Sequence, residues 1–159
     1  MKTIPYNDYY SKEVFSLHVR GLKCVNSYIG SKEARDKLDS DMKDIDEHYL
    51  KGSSIFLLMI DDNNSLIAMG GIKNEGNGKG TLKRLRVEPE IQGRGLGSQM
   101  LSELLDWARH HNFKSINTDF VSSSSLADFY TKNGFSHKES IHRQLAETEW
   151  DEDVYTINL

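Results

Sequence analysis

Hydrophobic positions recur every three or four residues along the first third of the chain, which is the spacing of amphipathic helices. In residues 9–23 the positions on roughly one face are Val14, Phe15, Leu17, His18 and Leu22. In residues 31–52 the corresponding positions are Ala34, Leu38, Met42, Ile45 and Tyr49. Ser31 precedes this second segment as a plausible N-cap, and Gly52 follows it as a stop. We predict one helix in each segment, after a short strand at residues 3–6.

The pattern changes from helix spacing to strand spacing after Gly52. Residues 53–61 and 65–74 are apolar runs of strand length, and a turn-forming "DDNN" separates them. After a second turn, "EGNGKG", residues 81–88 alternate between two faces. Leu85 and Val87 fall on one face, and Arg84 and Arg86 on the other. We predict three antiparallel strands in a meander.

The last third of the chain alternates helices with strands. A helix after residue 97 has the apolar stripe Met100, Leu101, Leu104, Leu105 and Ala108. A strand is predicted at residues 114–121, and a short helix within 123–135 ends at Gly134. Two closing strands follow at 136–144 and 153–159. The order β-α-α-β-β-β-α-β-α-β-β predicts an α/β (mixed α+β) fold, a sheet flanked by helices in one domain spanning residues 1–159.

Composition narrows the class of protein. Of the 159 residues, 37% are hydrophobic and 28% charged, as in a globular domain. The longest apolar run, residues 55–60, is far shorter than the ~20 residues that span a bilayer, and the first ten residues lack a signal-peptide core. Cys24 is the only cysteine and the net charge is −4. We therefore expect a cytoplasmic protein that has no disulfides and does not associate with a membrane. We also expect that nucleic acid is not its main partner.

Three glycines occupy alternate positions directly before a helix: Gly93, Gly95 and Gly97. Backbone N–H groups of such a loop, together with the helix N-terminus, form an anion site that suits phosphate. A P-loop would need a lysine after its last glycine, which is missing here. A dinucleotide-binding loop would need the spacing GxGxxG after a first buried strand. A turn without any ligand is the third interpretation, and the loop by itself leaves it open. The six histidines show no metal-ligand spacing, so we expect no metal.

Two motifs together resemble the GNAT N-acetyltransferase superfamily: "RLRVEPEIQGRGLGSQML" (residues 84–101) and "LADFYTKNGF" (residues 126–135). The family's loop pattern Q/R-x-x-G-x-G/A is matched by Gln92, Gly93, Arg94, Gly95, Leu96 and Gly97. Val87, Pro89 and Glu90 match the segment before the loop. Tyr130, Lys132, Gly134 and Phe135 match the later motif. The order of elements agrees with the family over nearly the whole chain.

The resemblance implies acetyl-coenzyme A as co-substrate. The loop, with Ser98 after it, would bind the pyrophosphate of coenzyme A. The backbone of Leu85, Arg86 and Val87 would lie beside the pantetheine arm and the thioester. This strand and the strand at 114–121 would splay apart in a central, mixed, mostly antiparallel sheet. Ser123 stands where many relatives have an asparagine that contacts the pantetheine arm.

The resemblance assigns Tyr130 as the proton donor to the leaving thiolate. For the general base, Asp119 on the splayed strand is the candidate side chain, and a water chain is the alternative. The charge of the acceptor stays open. Arg84 or Arg86 would bind a substrate carboxylate, whereas the acids of residues 36–47 would attract a cationic amine.

We expect an acetyl-coenzyme A-dependent N-acetyltransferase that acts on the primary amine of a small molecule or protein, as a monomer or homodimer. The alternative from another class is a non-catalytic acyl-coenzyme A-binding module that senses or regulates.

Overall fold

The structure, a computed structural model, describes residues 1–25 and 27–159. The strands are β1 (Lys2–Pro5), β2 (Ile55–Ile60), β3 (Leu66–Gly76), β4 (Lys79–Val87), β5 (Ser115–Val121), β6 (Ser136–Leu145) and β7 (Thr148–Asn158). The helices are α1 (Ser11–Cys24), α2 (Lys32–Leu38), α3 (Ile45–Tyr49), α4 (Leu96–His110) and α5 (Ala127–Lys132). In this described part of the chain, no helix combines the length and apolar character needed to cross a membrane.

All seven strands belong to one sheet in the order β1-β2-β3-β4-β5-β7-β6. Neighbouring strands are antiparallel except β4 and β5, which are parallel. The β4–β5 pairing ends at Leu82 and Thr118. Beyond these two residues the strands separate, which opens a gap in the middle of the sheet. The mixed, mostly antiparallel, splayed sheet and the β2-β3-β4 meander are thereby confirmed.

Helices cover both faces of the sheet, and this explains the continuous apolar run of β2. Leu57 and Met59 belong to a core cluster with α4, while Phe56, Leu58 and Ile60 belong to a second cluster with α1 and α3. Side chains of a strand alternate between faces, so a strand covered on both sides needs apolar residues at every position. The predicted stripe of α4 is buried against the first cluster.

The prediction of one helix over residues 31–52 is wrong. The segment forms α2, a 3₁₀ turn at Ser40–Lys43 and α3. The carboxylates of Asp39 and Asp41 are buried and accept hydrogen bonds from arginines, so the chain turns to bring them inward. Asp44 then caps α3, because its side chain accepts a hydrogen bond from the Glu47 N–H at 3.0 Å. The apolar spacing was correct, but these aspartates set the helix ends.

Strand β4 contains a bulge at Arg84. Met69 of β3 faces Arg86, whereas Gly71, two residues on, faces Lys83, so β4 has one residue more than β3 in this stretch. Arg84 adopts φ +60°, which is unusual for a residue with a side chain. Leu85 and Val87 pack on the α4 side, and Arg84 points towards the α2–α3 segment, as the alternation predicted.

Candidate active site

The glycine loop is shaped by backbone conformation at two positions and by packing at the third. Gly93 and Gly95 have φ +77° and +82°, and a Cβ at either position would meet no described atom within 4 Å. At Gly97 a Cβ would lie 3.3 Å from the Phe129 ring. The first two glycines therefore allow a left-handed turn that faces open space. The third lets α5 approach α4.

The N-terminus of α4 opens towards that space. Gln99 is the first residue whose N–H bonds along the helix, to the Gly95 carbonyl at 3.0 Å. The N–H groups of Leu96, Gly97 and Ser98 precede it and have no place in the helical ladder. Among the described residues no side chain caps this end. The unpaired N–H groups and the helix dipole make it suited to an anion.

A cavity of about 380 Å³, here called the loop cavity, lies in front of this helix end. The candidate residues that line it are Leu85, Arg86, Val87, Gln92, Gly93, Gly95, Leu96, Gly97 and Ser98. Gln92 ties the loop to β4, since its side-chain amide donates to the Val87 carbonyl at 3.2 Å. Two further candidates, Arg94 and Ser123, are exposed and do not line this cavity. Ser125, in the same serine run as Ser123, does line it.

A second cavity of about 180 Å³, here called the gap cavity, lies where β4 and β5 separate. Its lining includes Lys83 and Arg84 from β4 and Asp119 from β5. The two cavities share the lining residues Val25, Leu85, Arg86, Leu126 and Tyr130. They therefore meet at the splayed part of β4, and Tyr130 stands at their junction.

Tyr130 is held by aromatic neighbours. Its ring stacks on Phe120 at 5.3 Å between centroids and contacts Phe129 and Phe135 edge to face. Burial raises the pKa of Tyr130, and the Thr118 hydroxyl and the Arg86 charge oppose that shift without cancelling it. The phenol is therefore protonated near neutral pH and available as a proton donor between the cavities.

Asp119 is not a free carboxylate. The Lys83 ammonium donates to its Oδ1 at 2.5 Å across the gap between β5 and β4. Both side chains are partly exposed. One oxygen of this carboxylate is therefore already engaged by a cation of β4.

The two arginines of β4 differ in their partners. Arg84 is bound by Asp41 through two hydrogen bonds and by the Leu38 carbonyl at 2.6 Å. Arg86 has no carboxylate partner among the described residues; its Nη1 donates to its own neighbour's carbonyl, that of Leu85, at 2.7 Å. Arg84 is therefore matched by a carboxylate, whereas Arg86 is not.

A buried polar cluster lies behind Arg84. His18 Nε2 contacts Asp39 Oδ1 at 2.7 Å, and Arg35 pairs with the same carboxylate. Tyr49 bonds Asp41. Burial lowers the pKa of His18 to about 4 despite its hydrogen bond to Asp39. Two of the acids expected to attract a cationic amine, Asp39 and Asp41, are therefore already paired with the protein's own arginines.

Sequence reasoning missed the contribution of β7. Trp150 and Glu152 line the gap cavity. The Trp150 indole N–H donates to Glu152 at 2.9 Å, and Arg143 of β6 donates to it at 3.0 Å. These residues reach the cavity because β7 pairs with β5, and no local motif predicts that long-range pairing.

Comparison with known proteins gives one family. Residues 23–135 match the profile of the Acetyltransferase (GNAT) family. The tRNA(Met) cytidine acetyltransferase TmcA 2 of Saccharolobus solfataricus is 31% identical over an alignment of 113 residues, which covers 69% of this chain and 14% of that protein. The chain thus spans only a small part of that relative's length.

Solved structures share the fold. An acetyltransferase of the GNAT family from Staphylococcus aureus Mu50 has a TM-score of 0.81 at 20% identity, covering 99% of this chain and 98% of that chain. An aminoglycoside 6'-N-acetyltransferase complexed with coenzyme A has a TM-score of 0.75 at 12% identity, covering 99% and 97%. At these identities the likeness concerns the fold.

Proposed function

Since this chain belongs to the acetyltransferase (GNAT) family, we propose that it transfers the acetyl group of acetyl-coenzyme A to the primary amine of a small molecule or protein. The proposal concerns the activity itself, its donor, its acceptor class and the residues that act. The observation that carries it is the continuity of three features: the open glycine loop, the loop cavity and the gap beside Tyr130.

The loop and the start of α4 fit a pyrophosphate. Gly93 and Gly95 face open space, and the N–H groups of Leu96, Gly97 and Ser98 are free of helical partners. We assign the pyrophosphate of coenzyme A to these groups. Arg94, exposed on the same loop, would approach the phosphates from the solvent side. Both the N–H donors and the helix dipole would stabilise the bound pyrophosphate.

The splayed part of β4 fits an extended arm. Lys83–Val87 pairs with β3 on one side, and its other side borders the gap. A pantetheine arm has amide groups that pair with a strand edge as an added strand does. We assign the arm to the backbone of Leu85, Arg86 and Val87, with one N–H of this segment donating to the thioester oxygen. Ser123 is assigned to the outer end of the arm on the resemblance alone.

Acetyl-coenzyme A supplies an acetyl group activated as a thioester. In direct transfer, the amine nitrogen bonds to the acetyl carbon and the carbon–sulfur bond breaks. The Tyr130 hydroxyl gives its proton to the departing sulfur. The amine's proton leaves through Asp119 or through a water chain. Because Lys83 already occupies Oδ1 of Asp119, the water chain is favoured, and Asp119, which lines the gap cavity, is the alternative acceptor.

We also propose a cytoplasmic location and a monomeric or homodimeric enzyme, consistent with Cys24 being the only cysteine and exposed. Nucleic acid is not proposed as a partner, because the chain lacks a basic segment and has a net charge of −4.

The test is release of the coenzyme A thiol from acetyl-coenzyme A across a panel of small primary amines and peptides with free N-termini. We expect amine-dependent thiol release, with the acetylated amine identified by mass. Calorimetric titration with coenzyme A is run in parallel. Tight coenzyme A binding with no release for any amine would contradict the catalytic proposal and support a sensor. Absence of binding would contradict the donor assignment itself.

A further inference from the structure

We propose that the acceptor is a small amine that also carries a carboxylate, and that the Arg86 guanidinium binds that carboxylate. This inference rests on the proposed function and names the substrate class of the same site. It follows from the position, the partners and the confinement of one side chain.

Arg86 is confined under α1. A Cβ on Gly21 of α1 would lie 2.5 Å from Arg86 Cδ, so the helix backbone passes directly over the arginine stem. The Nε atom is inaccessible to solvent and has no hydrogen-bond partner in the described part of the chain. The stem of the side chain is thereby held in one place, and Arg86 lines both cavities.

The other cations that line the gap cavity are matched by carboxylates. Arg84 pairs with Asp41, Lys83 with Asp119 and Arg35 with Asp39. Glu152, the other lining carboxylate, is matched by Arg143. Arg86 is the exception among the described residues. One positive charge at the junction of the two cavities, that of Arg86, therefore has no carboxylate partner.

An unpaired guanidinium that is partly buried is costly for the protein. Burial lowers the pKa of Arg86 to about 10, and the nearby Arg84 charge acts in the same direction. Even so the group is cationic at neutral pH. A ligand anion at this position would relieve the cost, and the planar fork of arginine suits a carboxylate, which it binds through two parallel hydrogen bonds.

The dimensions of the site favour a small acceptor. The gap cavity of about 180 Å³ is below the ~300–1,000 Å³ of typical ligand pockets. Arg86 stands at the same junction as Tyr130, where the amine must reach the thioester. The carboxylate and the amine therefore belong to one short molecule, with a few bonds between them, as in an amino acid.

The test compares matched acceptors. For each of several amino acids, acetyl transfer is measured for the free acid, the carboxamide and the amine that lacks the carboxyl group, at a pH that deprotonates each amine to the same extent. We expect kcat/KM to be at least 100-fold higher for the acids. In Arg86→Gln this preference should fall to within a few-fold, and Arg86→Lys should retain part of it. Arg109→Gln, an exposed arginine on α4, is the matched control and should keep the full preference.

A second readout needs no turnover. Propionate should raise the thermal midpoint of the wild-type protein saturated with coenzyme A, but not that of Arg86→Gln. Equal rates for acids and carboxamides in the wild type would overturn the inference and leave the acetyltransferase proposal intact. An Arg86→Gln variant that keeps the acid preference but loses coenzyme A affinity would also overturn it, because the guanidinium would then serve the donor.

Discussion

Arg84 binds Asp41 through two hydrogen bonds, from Nε to Oδ2 at 3.0 Å and from Nη2 to Oδ1 at 2.5 Å. Asp41 lies in the turn between α2 and α3, and Arg84 lies in the bulge of β4. The pair thus fastens the helical segment to the strand that borders both cavities. Both side chains are largely buried, so each needs the other as a partner.

We expect Asp41→Ala to lower the free energy of unfolding by about 3 kcal/mol, because it strands the Arg84 charge and removes the partner of the Tyr49 hydroxyl. Urea unfolding measures the change. Asp36→Ala is the control, since Asp36 forms exposed pairs with Lys32 and Lys43 and should change stability little. Equal losses in the two variants would contradict a structural role for the Arg84–Asp41 pair.

Gly95→Asp tests the phosphate assignment. The carboxylate would face the proposed pyrophosphate, so we expect the Kd for coenzyme A to rise at least tenfold, or about 1.4 kcal/mol. Gly76, the last residue of β3, has the same φ of +82° and equally open surroundings. Gly76→Asp therefore reproduces the backbone strain and the added charge away from the site. Titration calorimetry measures the Kd for coenzyme A of both folded variants. An equal Kd for Gly95→Asp and Gly76→Asp would contradict the phosphate assignment.

Tyr130→Phe tests the proton donor. The ring contacts with Phe120, Phe129 and Phe135 remain, so stability and coenzyme A affinity should change little. We expect kcat to fall roughly 10- to 100-fold, since water can partly replace the phenol. An acyl donor with a more acidic leaving thiol should recover part of the loss. If the variant loses the same factor with both donors, Tyr130 positions the arm and does not protonate the sulfur.

Asp119→Asn separates the two routes for the amine proton. If Asp119 accepts that proton, activity near neutral pH should drop on the order of 100-fold, and the deficit should shrink at high pH where the amine is already neutral. Asp128→Asn, an exposed acid in the first turn of α5, controls for the lost charge. Rates close to wild type at every pH would establish the water chain.

His18 makes stability depend on pH. Burial lowers its pKa in the native state to about 4, against the effects of Asp39 and in line with those of Arg86 and Arg84. An unfolded histidine has a pKa near 6.5. Between these values the unfolded chain binds a proton that native His18 excludes, so stability is full above about pH 6.5 and falls as pH drops towards 4.

From this shift, acidification from pH 7 to pH 5 should cost about 2 kcal/mol through His18. The pKa of Asp39 is lowered to about 2, so its titration changes stability only below pH 5. Urea unfolding of the wild type and of His18→Gln at both pH values measures the difference. The variant should show the shallower pH dependence. Identical slopes would show that His18 titrates normally in the native protein.

Local patterns predicted most of the elements but not the long-range pairings. The alternation in β4 and the spacing in α4 depend on neighbours a few residues away, so both were correctly predicted. The ends of α2 and α3 depend on Asp39 and Asp41 finding Arg35 and Arg84, which no periodicity encodes. The glycine loop was found from sequence, yet the reason for Gly97, its contact with Phe129, appears only in three dimensions.

The same limit applies to the site. Arg84 and Arg86 look equivalent in sequence, two residues apart on one strand face. Only the surrounding carboxylates distinguish them, since one guanidinium is matched by Asp41 and the other is not. Glu152 and Trp150 reach the gap cavity through pairing of distant segments, so no local motif predicts that they line it.

The position of β7 also sets an order of events during synthesis. β7 is the last strand along the chain, yet it lies between β5 and β6. Its pairing with β5 joins Val121 to Glu152, so one edge of β5 stays open until the ribosome has released the residues of β7. Closing such a non-local pair costs loop entropy and slows folding. The nascent chain therefore contains the β2-β3-β4 meander, the glycine loop and α4 before it contains the β7 residues that line the gap cavity.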